Sequence, residues 1–159
     1  MAKAIKTNVL RHLDALKIPY ETREYTVDDD NFDGKLVAEK VDLPAEMIYK
    51  TLVLVGDTLP HLVCVIPVEL ELDLKAVARA AGCKSVHMLP QKDLLPLTGY
   101  LRGGCSPIGM KKHFPTFIDE TAILYDEIGV SAGQRGAQVL LNPDALCEYV
   151  GAEFCDLTV

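Results

Sequence analysis

The chain has 159 residues, 49% of them apolar and 25% charged, and its 16 Lys and Arg against 23 Asp and Glu give a net charge of −7. That length suits one domain, 1–159, burying roughly 70% of the surface its unfolded chain exposes, and the composition excludes a disordered or low-complexity protein. The acidic balance argues against tight, autonomous gripping of nucleic-acid phosphates, although it leaves room for a local basic patch.

Ile5, Val9, Leu13 and Leu16 recur at helical spacing and predict a first helix that ends before Pro19. Tyr20 to Val27 reads as a strand running into the loop Asp28-Asp29-Asp30, and Leu36, Val37 and Val41 as a short helix closed by Pro44. The apolar runs from Thr51 to Val55 and from Leu62 to Ile66 flank a turn-forming stretch and predict paired central strands. Asp73 is placed to cap a helix whose inner stripe is Leu74, Val77, Ala78 and Ala81, with Gly82 where a left-handed residue is wanted. Asn142-Pro143 gives a second cap, with Leu146, Cys147 and Val150 facing inward and Gly151 after the end. Between these lie five short candidate strands, at 85–88, 117–118, 128–130, 139–141 and 154–157. The irregular alternation favours an α+β domain.

The N-terminus carries no apolar stretch of signal-peptide length and no window approaches a membrane span, so a cytoplasmic protein with no membrane partner is expected. Cys64, Cys83, Cys105, Cys147 and Cys155 are odd in number and contain no C-x-x-C pair; free thiols are expected, with neither a disulfide framework nor a zinc site.

Two glycine-rich segments could carry chemistry. The first, Gly99 to Gly109, is followed by the basic trio Lys111-Lys112-His113. Its glycines permit positive φ and close backbone approach, so that successive N–H groups could hold an anionic oxygen; an ordinary surface loop would read the same way. The second, Ser131 to Gly136, is equally compatible with a plain hairpin turn. Lys50 precedes an apolar run, where it either meets a carbonyl or carboxylate partner or simply reaches water. His12, His61, His87 and His113 lack neighbouring metal-type partners, no serine lies in a nucleophile elbow, and Cys105 has no identifiable acid–base partner.

Four strings match one family together: Tyr49 to Leu54 (YKTLVL), Gly99 to Gly109 (GYLRGGCSPIG), Val130 to Gly136 (VSAGQRG) and Gly151 to Asp156 (GAEFCD). The chain resembles the YbaK/EbsC group of trans-editing aminoacyl-tRNA deacylases, relatives of the editing domain of bacterial prolyl-tRNA synthetases, over nearly its whole length. The resemblance implies a mixed, mainly antiparallel, barrel-like sheet flanked by helices, and hydrolysis of the ester in mischarged Cys-tRNA(Pro). Cysteine fits a proline-sized pocket, and a second site is a known answer where binding alone discriminates poorly.

By the same resemblance Lys50 holds the acyl carbonyl or terminal adenosine, with Thr51 beside it and Tyr25 at the pocket. Gly103, Gly104, Ser106, Pro107 and Gly109 form the loop offering backbone donors to the aminoacyl end, Gly104 among the catalytic groups. Ser131, Gly133 and Arg135 occupy the second loop, with Ser131 at the catalytic centre. The implied route needs no cofactor: the substrate's own thiol, or a tRNA hydroxyl, attacks while Lys50 and loop N–H groups stabilise the carbonyl oxygen. The family usually has Gly where Ala132 stands and often Lys at Gln134, so a Cβ at 132 would restrict the loop if positive φ were needed there. The net charge suggests that prolyl-tRNA synthetase holds the tRNA body while Lys111, Lys112, His113 and Arg135 meet the acceptor end. A deacylase for alanine or serine and a non-catalytic tRNA- or synthetase-binding module are the alternative readings.

Overall fold

The computed structural model describes residues 7–26 and 34–159. Ile5, Val27 and the Asp28-Asp29-Asp30 loop lie outside the described residues. The first helix, α1 (Asn8–Ala15), is capped by Thr7, whose hydroxyl accepts from the Leu10 N–H at 3.3 Å. It buries Val9, Leu10 and Leu13. Leu16, expected on that face, is exposed, because it is the cap residue and Lys17 beyond it turns left-handed at φ 57°.

Strand β1 (Tyr20–Glu24) is followed by α2 (Gly34–Lys40), then by the long hairpin β2 (Tyr49–Gly56) and β3 (Leu62–Pro67). These are the two predicted central strands, antiparallel and in register from Tyr49 opposite Pro67 to Leu54 opposite Leu62. Helix α3 (Leu74–Ala81) has the predicted caps: Asp73 accepts from the Lys75 and Ala76 N–H groups, and Gly82 is left-handed at φ 72°. Its buried stripe is Ala76, Val77 and Ala78; Leu74, at the first turn, is exposed instead.

After β4 (Val86–Met88) comes α4 (Leu94–Thr98), which the sequence reading did not anticipate: one turn containing Pro96 is too short to show periodicity, and proline is tolerated in a first turn. Strands β5 (Thr116–Asp119), β6 (Ile128–Ser131) and β7 (Ala137–Leu141) precede α5 (Pro143–Val150) and β8 (Glu153–Cys155). Asn142 caps α5 by accepting from the Ala145 N–H at 3.0 Å, and Gly151 ends it at φ 68°.

The strands form two sheets, an antiparallel one ordered β1-β7-β6 and a mixed one ordered β4-β2-β3-β5-β8. Four of the six strand pairings are antiparallel, as expected. A barrel-like closure is not confirmed: among the described residues the strands fall into two sheets, which are bridged between Ile48 and Gly129. A Cβ on Gly129 would lie 2.8 Å from Ile48 Cδ1, so glycine is what lets β2 approach β6. The main core lies between the sheets and α1, with Val9, Leu13, Tyr49, Val53, Ile118 and Val139 among its members. A second cluster, built on Leu54, Leu62, Cys64, Val77 and Leu157, fills the space under α3. Among the described residues no helix is long and apolar enough to cross a membrane.

Candidate functional site

The five residues Ile48 to Leu52 all line one cleft of about 500 Å³. Successive residues of a strand point to alternate faces, so a cleft lined by all five runs along the edge of β2, which β4 covers only from Leu54 to Gly56. Tyr25, Val68, Arg102, Gly103, Cys105, Ser131 and Gln138 complete the walls, with Glu69 and Glu71 beyond β3. The start of β2, the two glycine loops and the end of β1 thus meet at one place.

Lys50 lies opposite Ile66 within β2, half-buried, rather than before the strand. Among the described residues no carboxylate is within ion-pairing distance of its ammonium, although Glu69 and Glu71 share the cleft. Two buried side-chain oxygens, Thr51 Oγ1 and Gln138 Oε1, have no hydrogen-bond partner among the described residues, and both residues line this cleft. Gln138, the second residue of β7, is only 6% exposed and is paired with Arg23 on one side and Ser131 on the other. An unpaired oxygen at such depth costs about 1–3 kcal/mol, a cost a ligand's donor would remove.

The two glycine loops are fastened to each other. Arg135 Nε donates to the Arg102 carbonyl at 2.8 Å, and a Cβ on Gly104 would stand 3.1 Å from Arg135 N and from the Gln134 carbonyl carbon. Gly104 therefore serves the contact between loops: it lies behind the cleft wall, and its N–H donates to the Leu101 carbonyl at 2.9 Å. Gly103, at φ 86°, is the loop glycine that lines the cleft, and neither its N–H nor that of Cys105 donates to a described backbone carbonyl. Ser106 is fully buried, its hydroxyl accepting from the Ile108 N–H at 3.3 Å, and Pro107 and Gly109 line a different cavity.

In the second loop Ser131 reaches the cleft while its Oγ accepts from the Gly133 N–H at 3.1 Å. Gly133 is turned away: at φ 96°, with 2.8 Å between an added Cβ and Val9 Cγ2, it packs on α1. Ala132 is absent from the residues at positive φ and its methyl is buried in the main core, so the departure from glycine there restricts nothing. Tyr25 is held at the rim by its N–H, which donates to the Gly136 carbonyl at 2.9 Å.

Of the predicted residues the structure brings together Lys50, Thr51, Tyr25, Gly103 and Ser131 in the cleft; Gly104, Ser106, Gly133 and Arg135 stand behind or beside it as supports. Gln138, Glu69 and Glu71 were missed. Nothing in the local pattern distinguishes a strand glutamine at the end of a hairpin from a solvated one until its burial is known. Cys105 lines the cleft, but burial pushes its thiol up to about 12, so it stays protonated at neutral pH and is no thiolate nucleophile. Tyr49, beneath the cleft, is likewise raised to about 12 by burial, with its hydroxyl bonded to Thr121 at 2.8 Å.

This arrangement of an open strand edge, a buried-oxygen pair and two interlocked glycine loops occurs in a chain that belongs to the aminoacyl-tRNA editing domain family, whose model matches residues 33–149. A relative from Enterococcus faecalis (strain ATCC 700802 / V583), named as a proposed Cys-tRNA(Pro)/Cys-tRNA(Cys) deacylase, EbsC, is 46% identical over 153 residues, covering 96% of this chain and 93% of that protein. Among solved structures, one described as a proposed trans-editing enzyme for prolyl-tRNA synthetase is similar with a TM-score of 0.82 and 23% identity, covering 98% of this chain and 99% of the other. Another, of a protein described only as hypothetical, has a TM-score of 0.85 at 20% identity, covering 95% of this chain and 99% of that one. These two likenesses establish the fold.

Proposed function

We propose that the chain is an aminoacyl-tRNA deacylase that removes cysteine from mischarged tRNA(Pro), acting in trans. The observation that carries this reading is Lys50, a cation without a carboxylate partner among the described residues, set in a cleft beside two unpaired buried oxygens. The 46% identical relative and its name support the substrate class.

In this reading the aminoacyl ester enters the cleft with its carbonyl oxygen on Lys50 and on the N–H groups of Gly103 and Cys105, where negative charge develops. Glu69 and Glu71 receive the α-ammonium, and Thr51 Oγ1 with Gln138 Oε1 accept from hydroxyl or amine donors of the aminoacyl-adenosine. The substrate's thiol sulfur attacks its own carbonyl carbon. The ester C–O bond breaks, the thiol proton passes to the ribose oxygen, and cysteine leaves as a cyclic thioester that water opens. The protein's part is orientation and charge stabilisation. Ser131, tied to the Gly133 N–H, shapes the wall beside this centre. With a net charge of −7, grip on the tRNA body comes from prolyl-tRNA synthetase, to which the protein is recruited.

The test is deacylation of purified Cys-, Ala- and Ser-tRNA(Pro) by the wild type and by Lys50→Ala, each against a protein-free blank. Loss of cysteine alone, with kcat falling about 10²- to 10³-fold in Lys50→Ala, is the expected result. Hydrolysis of the alanine or serine ester would move the substrate assignment and discard the thiol route. All three esters surviving at the blank rate would leave a binding module, and tight synthetase-independent tRNA binding at physiological salt would overturn the recruitment.

A further inference from the structure

The loop that walls the cleft also walls a second cavity, of about 310 Å³, through Pro107 and Gly109. Its other walls combine basic groups, His12, Lys112 and His113, with the rings of Phe114 and Tyr149. Among the described residues no Asp or Glu lines it, in a chain of net charge −7 whose ester cleft holds two glutamates. His12, Lys112 and His113 are all exposed.

The cavity is built rather than incidental. Tyr149 bonds His12 Nδ1 at 2.9 Å and meets its ring edge-on, with centroids 6.2 Å apart, which fixes the imidazole and leaves its Nε2 edge toward Gly109. Gly109 sits at φ 76°, and a Cβ there would come within 2.9 Å of the Tyr100 hydroxyl and 3.4 Å of His12 Cδ2, so glycine keeps that wall open. Cys105 on the cleft and Pro107 on this cavity are two residues apart, which holds their Cα atoms within about 7 Å of each other. The two spaces share one loop as a common wall.

Basic groups beside aromatic rings suit a single-stranded nucleotide, whose base packs against a ring while its phosphate meets the Lys112 ammonium. We propose that this second cavity holds an unpaired nucleotide of the tRNA acceptor end, upstream of the aminoacylated adenosine. The proposal rests on the deacylase reading for the origin of the RNA, and it answers a difficulty in that reading. Glu69 and Glu71 favour the α-ammonium but repel phosphate, so the strand's phosphates need a carboxylate-free place close to the cleft. One nucleotide's grip remains weak enough to leave most of the tRNA affinity elsewhere.

The experiment follows the ring resonances of His12 and His113 by NMR while an uncharged RNA tetranucleotide ending in CCA is added to the wild type, to Lys112→Gln/His113→Gln and to Lys50→Ala. Steady-state deacylation of Cys-tRNA(Pro) and of the cysteine ester of adenosine is measured in parallel. Saturable shifts are expected in the wild type and in Lys50→Ala, with affinity reduced roughly tenfold in the double variant. The double variant's KM for the tRNA rises by a similar factor, while kcat and its rate on the adenosine ester stay at wild-type values. Lys75→Gln, which removes a charge from the exposed face of α3 and lines neither cavity, leaves both readouts unchanged. Equal RNA affinity and equal KM in the double variant would overturn the proposal, as would shifts produced by inorganic phosphate but not by the RNA. If the wild type hydrolyses neither ester, the deacylase reading falls separately, and the titration still decides whether the cavity takes RNA.

Discussion

Arg135 donates from its Nε to the carbonyl oxygen of Arg102 at 2.8 Å, across the seam where the two glycine loops meet. Beside that bond, Gly104 presents bare backbone to Gln134 and Arg135. The geometry of the cleft wall therefore depends on contacts between the two loops as well as on the residues that line it.

Gly104→Ala places a methyl 3.1 Å from two backbone atoms that cannot swing aside, so the loops must part. A destabilisation of about 1–3 kcal/mol is expected, with a matching loss of turnover as Gly103 shifts. Arg135→Ala removes the hydrogen bond to the Arg102 carbonyl from an exposed side chain and should cost about 1 kcal/mol or less. Urea denaturation of both variants beside the wild type checks the order; equal costs would mean that the backbone contact is not what fastens the loops.

Gln138→Leu and Thr51→Val each delete a buried oxygen that has no hydrogen-bond partner among the described residues. Both variants should match or exceed wild-type stability, by up to about 1 kcal/mol, while losing deacylation. Loss of stability together with activity would show that these oxygens have a structural partner instead. Thermal unfolding and single-turnover kinetics on one preparation separate the two.

Ala132→Gly restores the glycine common in the family. Because Ala132 is fully buried and needs no positive φ, the change should destabilise by about 1 kcal/mol through lost packing and a freer unfolded chain. Selectivity among Cys-, Ala- and Ser-tRNA(Pro) should not move, which competition between the three esters would reveal.

Alkaline pH should unfold the protein. Burial raises Cys64 and Cys105 from 9.0 to about 12, and Tyr49 and Tyr100 from 10.0 to about 12. Between pH 9 and 12 the unfolded chain has released protons that the folded chain retains, so stability, full below pH 9, falls as pH rises through this window. Each such group contributes a slope of up to about 1.4 kcal/mol per pH unit. Urea midpoints from pH 8 to 11 should drop steadily in the wild type and less steeply in Cys105→Ala; parallel curves would mean that the Cys105 thiol titrates normally.

The sequence by itself determined the parts whose cause is local. Asp73 and Gly82 bracket α3, Asn142-Pro143 opens α5, and the turn at 56–61 pairs β2 with β3, because caps and turns act within a few residues. The strings around Lys50, Gly103 and Ser131 were legible for the same reason, since a motif is a local pattern. What lay beyond it was everything set by elements distant in the chain. Gln138 becomes a cleft residue only because β7 lies between β1 and β6 while β6 touches β2 at Gly129. Gly104, read as a donor to substrate, proves to be a spacer against Gln134, 30 positions away in the chain, and Leu16 and Leu74 show that helical spacing cannot say where a face ends. Only the tertiary structure decided that the loop's far end faces a second, basic cavity. Net charge is a sum over the chain, and where each charge meets a neighbour is fixed by packing alone.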